Sequence, residues 1–339
     1  MLFRNLAIES LSYELAPYRV TSSQLEDRLN GAMTRMRLPP HPIELLTGIT
    51  ERGFWEHGTL VSEVAARAGR RAIAEARIQP RDLGLLISTS VSKDYLEPSI
   101  ASLVHGDLGL DSRCQSFDLA NACLGFLNGI EVAGRMIEAG VVDYALVVDG
   151  ESAGPIVDAT LRRLSEQGAT SQDFWDNFAT LTLGSAAVAM VLARADKSRT
   201  SHRVNGSVAL ADTDNNRLCI GTTERMTTDS TRLLKAGVAL AGRTWNEAVD
   251  TLPNWSPSTI DQFILHQVGK SHLVAICNAL NIPVQKCFLS YPTLGNVGPA
   301  AVPLTLALAR EANRVRRGDH VALMGIGSGL NVSMMSVTW

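Results

Sequence analysis

Apolar stretches of strand length alternate with helical patterns along the whole chain. The runs LGLLISTSV at 83–91 and LTLGSAAVAMVLA at 181–193 are dominated by apolar residues, which is typical of strands buried on both faces. Apolar residues three and four positions apart at 59–77 and 230–250 predict amphipathic helices. Further strands are predicted within 1–20 and at 144–151, 260–268, 287–290 and 321–325. This alternation of strands and helices predicts an α/β fold.

The second half of the chain repeats the order of elements in the first half. Corresponding residues lie 173 to 178 positions apart: Leu86 with Ile264, Cys123 with Asn296, and Leu146 with Leu323. The polar segment 194–203 interrupts the pattern, so we divide the chain into residues 1–196 and 197–339. Two βαβ-type halves in tandem predict a mixed sheet in each half with helices between and outside, an αβαβα layered sandwich. The mostly helical, polar-faced segment 154–180 is interpreted as a cap inserted in the first half.

Composition and charge exclude several classes of function. The 339 residues carry 31 basic and 34 acidic side chains, a net charge of −3, so no basic field favours nucleic acid or a membrane surface. No stretch of about 18 apolar residues is present, and the N-terminal MLFRNLAIESLSYEL lacks the apolar core of a signal peptide. We therefore expect no transmembrane segment and a cytoplasmic protein. The five cysteines show no metal-ligand spacing, so we expect reduced thiols and no metal. The net charge leaves room for a bound anionic group, but we expect no cofactor apart from substrates.

Cys123 lies where a short predicted strand turns sharply into a helix. The small residues Ala120, Ala122 and Gly125 surround it and allow another backbone or a ligand to approach. A cysteine in the first turn of a helix lies near unpaired N–H groups and the positive end of the macrodipole, which favour the thiolate. The common alternative is an inert, buried thiol. We expect that state for the other four cysteines: Cys114, Cys219, Cys277 and Cys287. The corner favours Cys123 as a nucleophile.

Two polar residues of the second half are candidates to act with Cys123. His266 follows an apolar strand, where a catalytic group can reach a cleft, although a lone histidine is more often structural. His272, one turn into the next helix, is its rival, and His105 is interpreted as structural. Asn296 lies in LGNVGP, where a turn asparagine is the plain alternative. Its pairing with Cys123 in the repeat favours function, because an asparagine amide and a histidine N–H can both donate to a developing enolate oxygen.

Two further candidates are Glu97 and the glycine-rich segment that contains Gly329. The residues alone favour Glu97 as a carboxylate stabilised near a helix N-terminus, and a general base in an apolar tunnel is the alternative. The segment GIGSGLN resembles a phosphate loop, but no Lys-Ser/Thr follows it and a strand comes next, which excludes nucleotide binding. Close approach of its backbone to a ligand oxygen is the better use. The N–H groups of Gly329 and Cys123 would then form an oxyanion hole.

Separate motifs in a fixed order resemble the thiolase superfamily, in its ketoacyl-ACP synthase III branch. They are Cys123 in DLANACLGF, His266 in FILHQ, Asn296 in LGNVGPAAVPL and the GIGSGLN ending, and the resemblance spans nearly the whole chain. Within that branch, STSVSKDYLEPSIASLV, VDYALVVDGE and LMGIGSGLN are similar to the acyl-CoA condensing enzymes of long-chain olefin biosynthesis. The resemblance implies a thiolase fold, CoA thioesters as substrates, Cys123 as the nucleophile, and His266 and Asn296 as oxyanion donors.

The resemblance also implies a reaction and partners. Enzymes of this kind join two fatty acyl-CoAs by a head-to-head, non-decarboxylative Claisen condensation and release a 2-alkyl-3-oxoalkanoate, a β-keto acid. They remove the α-proton with a glutamate that the other subunit of a homodimer inserts, and this role falls on Glu97. The implied partners are fatty acyl-CoA, a second copy of the chain, and downstream olefin or β-lactone pathway enzymes.

The sequence departs from the family at places that keep alternatives open. Ile43 and Leu46 stand where ketoacyl-ACP synthases III have a tryptophan and an arginine for CoA. His266 is followed by Gln-Val-Gly instead of Gln-Ala-Asn, and the segment SYPTLG before Asn296 differs from the olefin-biosynthesis pattern. The alternatives are a decarboxylative synthase III that uses a malonyl thioester, a β-lactone or other natural-product condensing enzyme, and a non-catalytic subunit of a heterodimer. The intact Cys123, His266 and Asn296 argue against the last.

Overall fold

The computed structural model describes residues 1–339, which form thirteen strands and twelve α-helices. The strands are β1 (Leu6–Leu15), β2 (Tyr18–Thr21), β3 (Glu51–Phe54), β4 (Leu85–Ser88), β5 (Gln115–Asp118), β6 (Tyr144–Glu151), β7 (Ala186–Arg194), β8 (Arg203–Ala211), β9 (Cys219–Gly221), β10 (Met226–Thr228), β11 (Gln262–Leu265), β12 (His320–Gly327) and β13 (Asn331–Thr338). The helices are α1 (Ser22–Asp27), α2 (Asn30–Arg35), α3 (Pro42–Thr47), α4 (Val61–Ala76), α5 (Ile100–Leu108), α6 (Gly125–Glu138), α7 (Gly154–Ser165), α8 (Ser171–Asn177), α9 (Ser230–Thr251), α10 (Lys270–Ala279), α11 (Tyr291–Leu294) and α12 (Ala301–Glu311). None of these helices combines the length and the apolar character needed to cross a bilayer.

Nine of the strands form one sheet in the order β11-β12-β13-β8-β1-β7-β6-β4-β5. The order β4-β6-β7-β1 in the first half corresponds to β11-β12-β13-β8 in the second, and each set mixes parallel and antiparallel pairs. Even the register repeats, because Leu86 pairs with Leu146 and Ile264 pairs with Leu323. The internal repeat predicted from these four residues is therefore confirmed in the strand pairing.

The two halves meet where β1 lies beside β8. This contact is a single antiparallel pairing of Ala7 with Arg203, so the two mixed sheets expected from the sequence form one continuous sheet. An unpaired strand edge exposes N–H and C=O groups, and the contact between β1 and β8 reduces that exposure. The polar segment 194–203 connects β7 to β8 at this junction. The division into residues 1–196 and 197–339 stays a prediction.

Side chains of the strands alternate between an inner core and two outer cores. Leu85 and Ile87 of β4 face a central core that contains α6 and α12, whereas Leu86 faces α4 and α5. In the second half, Ile264 faces the same central core and Leu265 faces α9 and α10. The layers therefore run from α4 and α5 through the first set of strands, α6 with α12, and the second set of strands to α9 and α10. The predicted αβαβα sandwich is confirmed.

The cap predicted at 154–180 contains α7 and α8, followed by a 3-10 turn at Phe178–Thr182. Val157, Leu161 and Phe174 of the cap share a separate core with Leu25 and Leu29. This core fastens the cap to α1 and its neighbouring turn, outside the layered sandwich. Since both cap helices also line the large cavity described below, the cap forms one of its walls.

Three predicted boundaries differ from the structure. The strand expected at 181–193 begins only at Ala186, because the preceding residues form the 3-10 turn. The segment 287–290 is not a strand and contributes a single parallel bridge between Cys287 and Phe263. The helix expected next to Glu97 is α5, and it begins only at Ile100, since the Ser99 side chain accepts a hydrogen bond from the backbone and serves as the N-cap.

Candidate active site

The turn between β5 and α6 holds Cys123. Ala122 just before it has φ +44°, in the left-handed region, which costs an L-residue about 1–2 kcal/mol. A Cβ on Gly125 would lie 2.8 Å from the carbonyl oxygen of Thr89, so a larger residue would displace the corner. The N-cap of α6 is Leu124, so Cys123 lies just before the helix. The predicted position, in the first turn of the helix, is therefore wrong by a residue or two.

The Cys123 side chain is a thiol in the free protein. Burial raises its pKa to about 12, and the nearby Cys219, Glu151 and Asp149 act in the same direction. A backbone hydrogen bond lowers the pKa but does not compensate. The expected thiolate, stabilised by a helix N-terminus, is therefore wrong for the resting state, because desolvation of the charged sulfur outweighs the helix. A nucleophilic role for Cys123 would therefore require the thiol to lose its proton as the sulfur attacks.

His266 is a neutral imidazole at the end of β11. Its backbone N–H donates to the Met324 carbonyl at 2.8 Å, which fixes the residue beside β12. Burial, with a smaller contribution from His272, lowers the pKa of His266 to about 3. Its Nδ1 is buried without a hydrogen-bond partner in the chain. A neutral ring has one N–H donor and one free lone pair, so His266 is able either to donate a hydrogen bond or to take up a proton.

Asn296 is held so that its amide nitrogen is left to donate. Its backbone N–H donates to Thr182 O at 2.8 Å, and its carbonyl accepts from Gly184 N at 2.9 Å. The side-chain Oδ1 accepts from Gly298 N at 3.0 Å. Because the oxygen is engaged by the backbone of its own turn, the NH₂ group of Asn296 is the free end of the amide.

The Gln267 side chain holds residues 288–291, which precede Asn296, next to the strand end that carries His266. Its Nε2 donates to Phe288 O at 2.7 Å, and its Oε1 accepts from Ser290 N at 3.0 Å and from Tyr291 N at 3.3 Å. Gln267 is itself buried. Three hydrogen bonds from one buried amide rigidify this part of the site.

One cavity of about 2180 Å³ brings the three predicted side chains together: Cys123, His266 and Asn296 all line it. Its walls include residues of α7, α8 and the β9–β10 hairpin. The lining holds both apolar and polar residues, so the cavity can accept a ligand with a long apolar part and a polar head. No group of three or more His, Cys, Asp or Glu side chains is arranged to hold a metal ion.

The glycine-rich segment after β12 lies against the Cys123 corner. A Cβ on Gly325 would overlap the Leu124 side chain, and a Cβ on Gly327 would lie 3.3 Å from Leu124 N. Gly327 and Ser328 line the cavity. Gly329, with φ +117°, follows them and is not itself part of the lining. The segment is thus close to Cys123, while the use of the Gly329 N–H stays a prediction.

Glu97 is not brought to the cavity of its own chain. It lies in an exposed loop, and its neighbours Tyr95 and Leu96 are 50% and 100% exposed. The carboxylate is therefore separate from the cavity that Cys123 and His266 line in this chain. Ser99 caps α5, so Glu97 does not occupy the helix N-terminus. Glu97 does not line the cavity either, so a role as base in a tunnel is not visible within a single chain.

Sequence reasoning missed Glu151 and underrated two other residues. Glu151 lines the cavity, and burial raises its pKa to about 7. The signal was a second acidic residue two positions after Asp149 on the same face of a buried strand. Cys219, which was expected to be inert, and His272, which was the rival of His266, also line the cavity. Burial lowers the pKa of His272 to about 4.

His105 has the structural position that was expected for it. It lies half-buried on α5, and its Nε2 is 3.2 Å from the Asp111 carbonyl. It does not line the cavity.

Comparison with known proteins identifies the family of the chain. The family 3-oxoacyl-[acyl-carrier-protein (ACP)] synthase III matches residues 117–212, and its C-terminal counterpart matches residues 252–339. An acyl-CoA:acyl-CoA alkyltransferase of Xanthomonas campestris is 42% identical over 339 residues, 100% of each chain. The chain belongs to the thiolase superfamily, in its ketoacyl-ACP synthase III-like branch. An acyl-CoA:acyl-CoA alkyltransferase of Shewanella oneidensis is 39% identical over 351 residues, again 100% of each chain. A β-ketoacyl-ACP synthase III of Natranaerobius thermophilus is 30% identical over 310 residues, 86% of this chain and 89% of that protein.

Solved structures of this thiolase-superfamily branch agree. Cerulenin-bound OleA of Xanthomonas campestris superposes with a TM-score of 0.98 at 42% identity, over 100% of this chain and 98% of that one. A cysteine-to-serine variant of the same protein, with bound lauric acid and lauroyl-CoA, gives 0.97 at 41% identity over 100% of both chains. The predicted fold and family, including the acyl-CoA condensing enzymes within it, are confirmed.

Proposed function

We propose that this protein condenses two long-chain fatty acyl-CoAs head to head, without decarboxylation, and releases a 2-alkyl-3-oxoalkanoate. The observation that carries this is the single cavity of about 2180 Å³ that Cys123, His266 and Asn296 line together. Pockets for drug-sized ligands measure roughly 300–1,000 Å³, so two acyl groups fit into this space. Alkyltransferases 42% and 39% identical over the whole chain support acyl-CoA as both substrates. The lauroyl-CoA bound by the Xanthomonas relative supports a long acyl chain.

In the first half-reaction, Sγ of Cys123 attacks the thioester carbonyl of one acyl-CoA. A carbon–sulfur bond to Cys123 forms, the bond to the CoA sulfur breaks, and the thiol proton goes to the departing CoA thiolate. His266 is neutral and has a free lone pair, so it can relay this proton as the CoA thiolate leaves, but its pKa of about 3 makes it too weak a base to hold the proton beforehand. The N–H groups of Cys123 and Gly329 hold the oxyanion of the tetrahedral intermediate. The acyl-Cys123 thioester divides one difficult step into two easier ones.

In the second half-reaction, His266 and Asn296 donate to the thioester oxygen of a second acyl-CoA. The free NH₂ of Asn296 supplies one hydrogen bond, since Gly298 holds its Oδ1. Removal of the α-proton gives a carbanion that attacks the acyl-Cys123 carbonyl. A carbon–carbon bond forms, the bond to Cys123 breaks, and its sulfur recovers a proton. Water then hydrolyses the CoA thioester of the product to the β-keto acid.

The base that removes the α-proton is Glu97 of the partner subunit in a homodimer. We call residues 91–98 of each chain the base loop. Val91, Tyr95 and Leu96 in this loop are large apolar residues that one subunit leaves exposed. Clustered exposed apolar residues mark protein interaction sites. Insertion of the base loop into a partner would cover them and would carry Glu97 to an apolar cavity, where desolvation raises the pKa of a carboxyl base.

The contacts for CoA differ from those of ketoacyl-ACP synthases III. Ile43, at the position of the family tryptophan, is fully buried, so it makes no contact with a CoA ring. Leu46 lines the cavity and is apolar. Arg162 and Lys235 also line the cavity, are exposed, and have no ion-pair partner among the salt bridges of the chain. These two cations are suited to the phosphates of CoA.

The cellular setting is part of the same proposal. A cytoplasmic homodimer would take fatty acyl-CoA directly, and no cofactor is needed because CoA thioesters are the substrates. A β-keto acid with a 2-alkyl branch is unstable towards loss of CO₂, so an enzyme of an olefin or β-lactone pathway would take over the product. These partners rest on the family resemblance.

The test is incubation of the pure protein with myristoyl-CoA and no malonyl donor. Intact-mass measurement is expected to show an acyl adduct that Cys123→Ala abolishes. The long-chain ketone formed by decarboxylation of the β-keto acid is expected in the same mixture. A strict requirement for a malonyl thioester would instead establish the decarboxylative synthase III reaction. An adduct with no condensation under either condition would leave only acyl transfer.

A further inference from the structure

Glu151 is bonded to the beginning of the base loop of its own subunit. One carboxylate oxygen accepts from Val91 N at 2.6 Å. The other accepts from Ser92 N at 3.2 Å and from Ser92 Oγ at 2.6 Å. Hydrogen bonds to an ionised acceptor are roughly twice as strong as neutral ones, so these three contacts are a firm attachment.

The remaining attachments of the base loop join it to the first turns of α4 and α5, and Val61, Lys93 and Asp94 among them also line the cavity. Asp94 accepts from Val61 N at 2.7 Å and Ser62 N at 3.0 Å at the start of α4. Lys93 Nζ contacts Asp118 at 2.5 Å, and that carboxylate also accepts from the first N–H groups of α5. These contacts anchor the middle of the loop to helix ends, whereas Tyr95, Leu96 and Glu97 stay free of them.

Glu151 also lies beside the catalytic turn of its own subunit. It lines the cavity together with Cys123 and Asn296. A Cβ on Gly298, the residue that holds the Asn296 amide oxygen, would lie 3.6 Å from Cγ and Cδ of Glu151. The Glu151 carbonyl accepts from Trp55 Nε1 at 2.9 Å, which fixes the end of β6. One buried side chain thus touches the Asn296 turn on one side and the base loop on the other.

The hydrogen bonds direct both carboxylate oxygens of Glu151 to the base loop, which argues against Glu151 as the base that takes the α-proton. Both carboxylate oxygens are engaged by three donors of the base loop. A general base needs an oxygen within hydrogen-bond reach of the substrate proton. The role open to Glu151 is to set the position of other groups.

We propose that Glu151 is a positioning residue that orients the base loop which its subunit delivers to the partner's active site. This inference rests on the proposed function, in which Glu97 of the partner subunit is the base. Glu151 leaves acylation of Cys123 in its own subunit intact and controls carbon–carbon bond formation in the other subunit. Displacement of a reacting group by about 1 Å costs on the order of 10² in rate, so the loop attachment is a sensitive control point.

The first experiment uses Glu151→Gln, which keeps the shape but replaces the acceptor that faces Ser92 with an NH₂ donor. Cys123 acylation by myristoyl-CoA is expected not to fall below wild type, because the Glu151 charge raises the pKa of Cys123 and the variant lacks that charge. Ketone formation is expected to fall by about tenfold to a hundredfold. Glu138→Gln is the matched control, because Glu138 accepts from the backbone N–H groups of Arg4 and Asn5 far from the cavity. Equal loss of both steps in Glu151→Gln, with normal stability, would overturn the proposal.

The second experiment uses mixed dimers with two purification tags. When one subunit carries Cys123→Ala and the other Glu151→Gln, the working Cys123 receives an intact base loop, and half of the wild-type condensation rate is expected. When one subunit carries both changes beside a wild-type subunit, the working site receives the misplaced loop, and condensation is expected to fall by about tenfold to a hundredfold. The reverse pattern, or low activity in both dimers, would show that Glu151 acts in its own site and would overturn the inference.

Glu97→Ala in the same two arrangements separates this inference from the proposed function. If Glu97→Ala lowers condensation only at the site of the partner subunit and Glu151→Gln does not, only the positioning role fails. If Glu97 itself does not follow that pattern, the base of the proposed function is wrong, and the positioning of a shared base loop falls with it.

Discussion

Cys123 and Asn296 occupy corresponding positions in the two halves of the fold. Each lies in the turn that leads into a helix of the central layer, α6 for Cys123 and α12 for Asn296, and 173 positions separate them. Because both helices belong to the core shared by the two halves, the two turns open into one cavity. A single structural unit, used twice, supplies the proposed nucleophile from one copy and the proposed hydrogen-bond donor from the other.

Asn296→Asp is expected to impair condensation much more than acylation. The aspartate can still accept from Gly298 N, so the turn keeps its hydrogen bond. It loses the NH₂ donor, and loss of one such donor lowers the rate by about 10²–10³. Rapid-quench measurement of acyl-Cys123 beside ketone formation separates the two steps. Equal loss in both steps would indicate that Asn296 acts in the first half-reaction as well.

The Cys123 thiol is expected to react slowly with iodoacetamide at neutral pH and faster as the pH rises. Its pKa of about 12 places the thiolate at a small fraction of the total throughout the ordinary range. The alkylation rate should increase about tenfold per pH unit between pH 7 and 10. Peptide mass spectrometry follows modification of Cys123, and Cys219→Ala removes the second cysteine that lines the cavity. A rate that levels off near pH 7 would show a stabilised thiolate and contradict the assigned pKa.

The sequence was sufficient for the layered fold and for the residues at its turns. Leu86 could be matched with Ile264, and Leu323 with its counterpart in the first half, because each buried strand is recognisable as a short apolar run in the sequence. Cys123 and Asn296 could be paired because each precedes a recognisable helix. These features depend on a residue and its near neighbours.

What could not be predicted depends on contacts between distant segments. The Cys123 pKa reflects burial beside Cys219, Asp149 and Glu151, which only the folded chain assembles. The hydrogen-bond partners of Glu151, Val91 and Ser92, lie 60 and 59 positions earlier in the base loop, and no local sequence pattern predicts that contact. The break before Ala186 likewise follows from a 3-10 turn whose residues are as apolar as a strand.

Gly325→Ala is expected to destabilise the protein and to disturb the Cys123 corner. A Cβ at this position would overlap the Leu124 side chain and lie 3.1 Å from Leu127 Cδ1, and both leucines are buried in the central core. Overpacking of this kind costs about 1–3 kcal/mol. Thermal unfolding should show the loss, with a lower acylation rate because Cys123 adjoins Leu124. Gly106→Ala is the control, since nothing lies within 4 Å of its added methyl group in α5 and no loss of stability is expected there. Equal behaviour of the two variants would contradict the close packing of this corner.

Glu151 is expected to produce an acid limb near pH 7 in condensation but not in acylation. Burial raises its pKa to about 7, against the hydrogen bonds from Ser92 and Val91 and the charge of Lys93, which lower it. The Glu151 charge in turn raises the pKa of Asp149, on the same strand face, and that of Cys123. Because the pKa of Glu151 is raised, its carboxyl is protonated below about pH 7 and ionised above it.

Protonation of Glu151 removes an acceptor for the base loop, so the condensation rate should fall as the pH decreases through 7 and reach its plateau above it. Ketone formation measured from pH 5.5 to about 8.5, with acyl-Cys123 measured in parallel, tests this, and Glu151→Gln should lower the plateau and abolish the limb near 7. The variant has no proton to gain at this position, so any limb that remains belongs to another group. A limb unchanged in midpoint and depth in Glu151→Gln would contradict the assignment, because the titrating carboxyl would then lie elsewhere in the site.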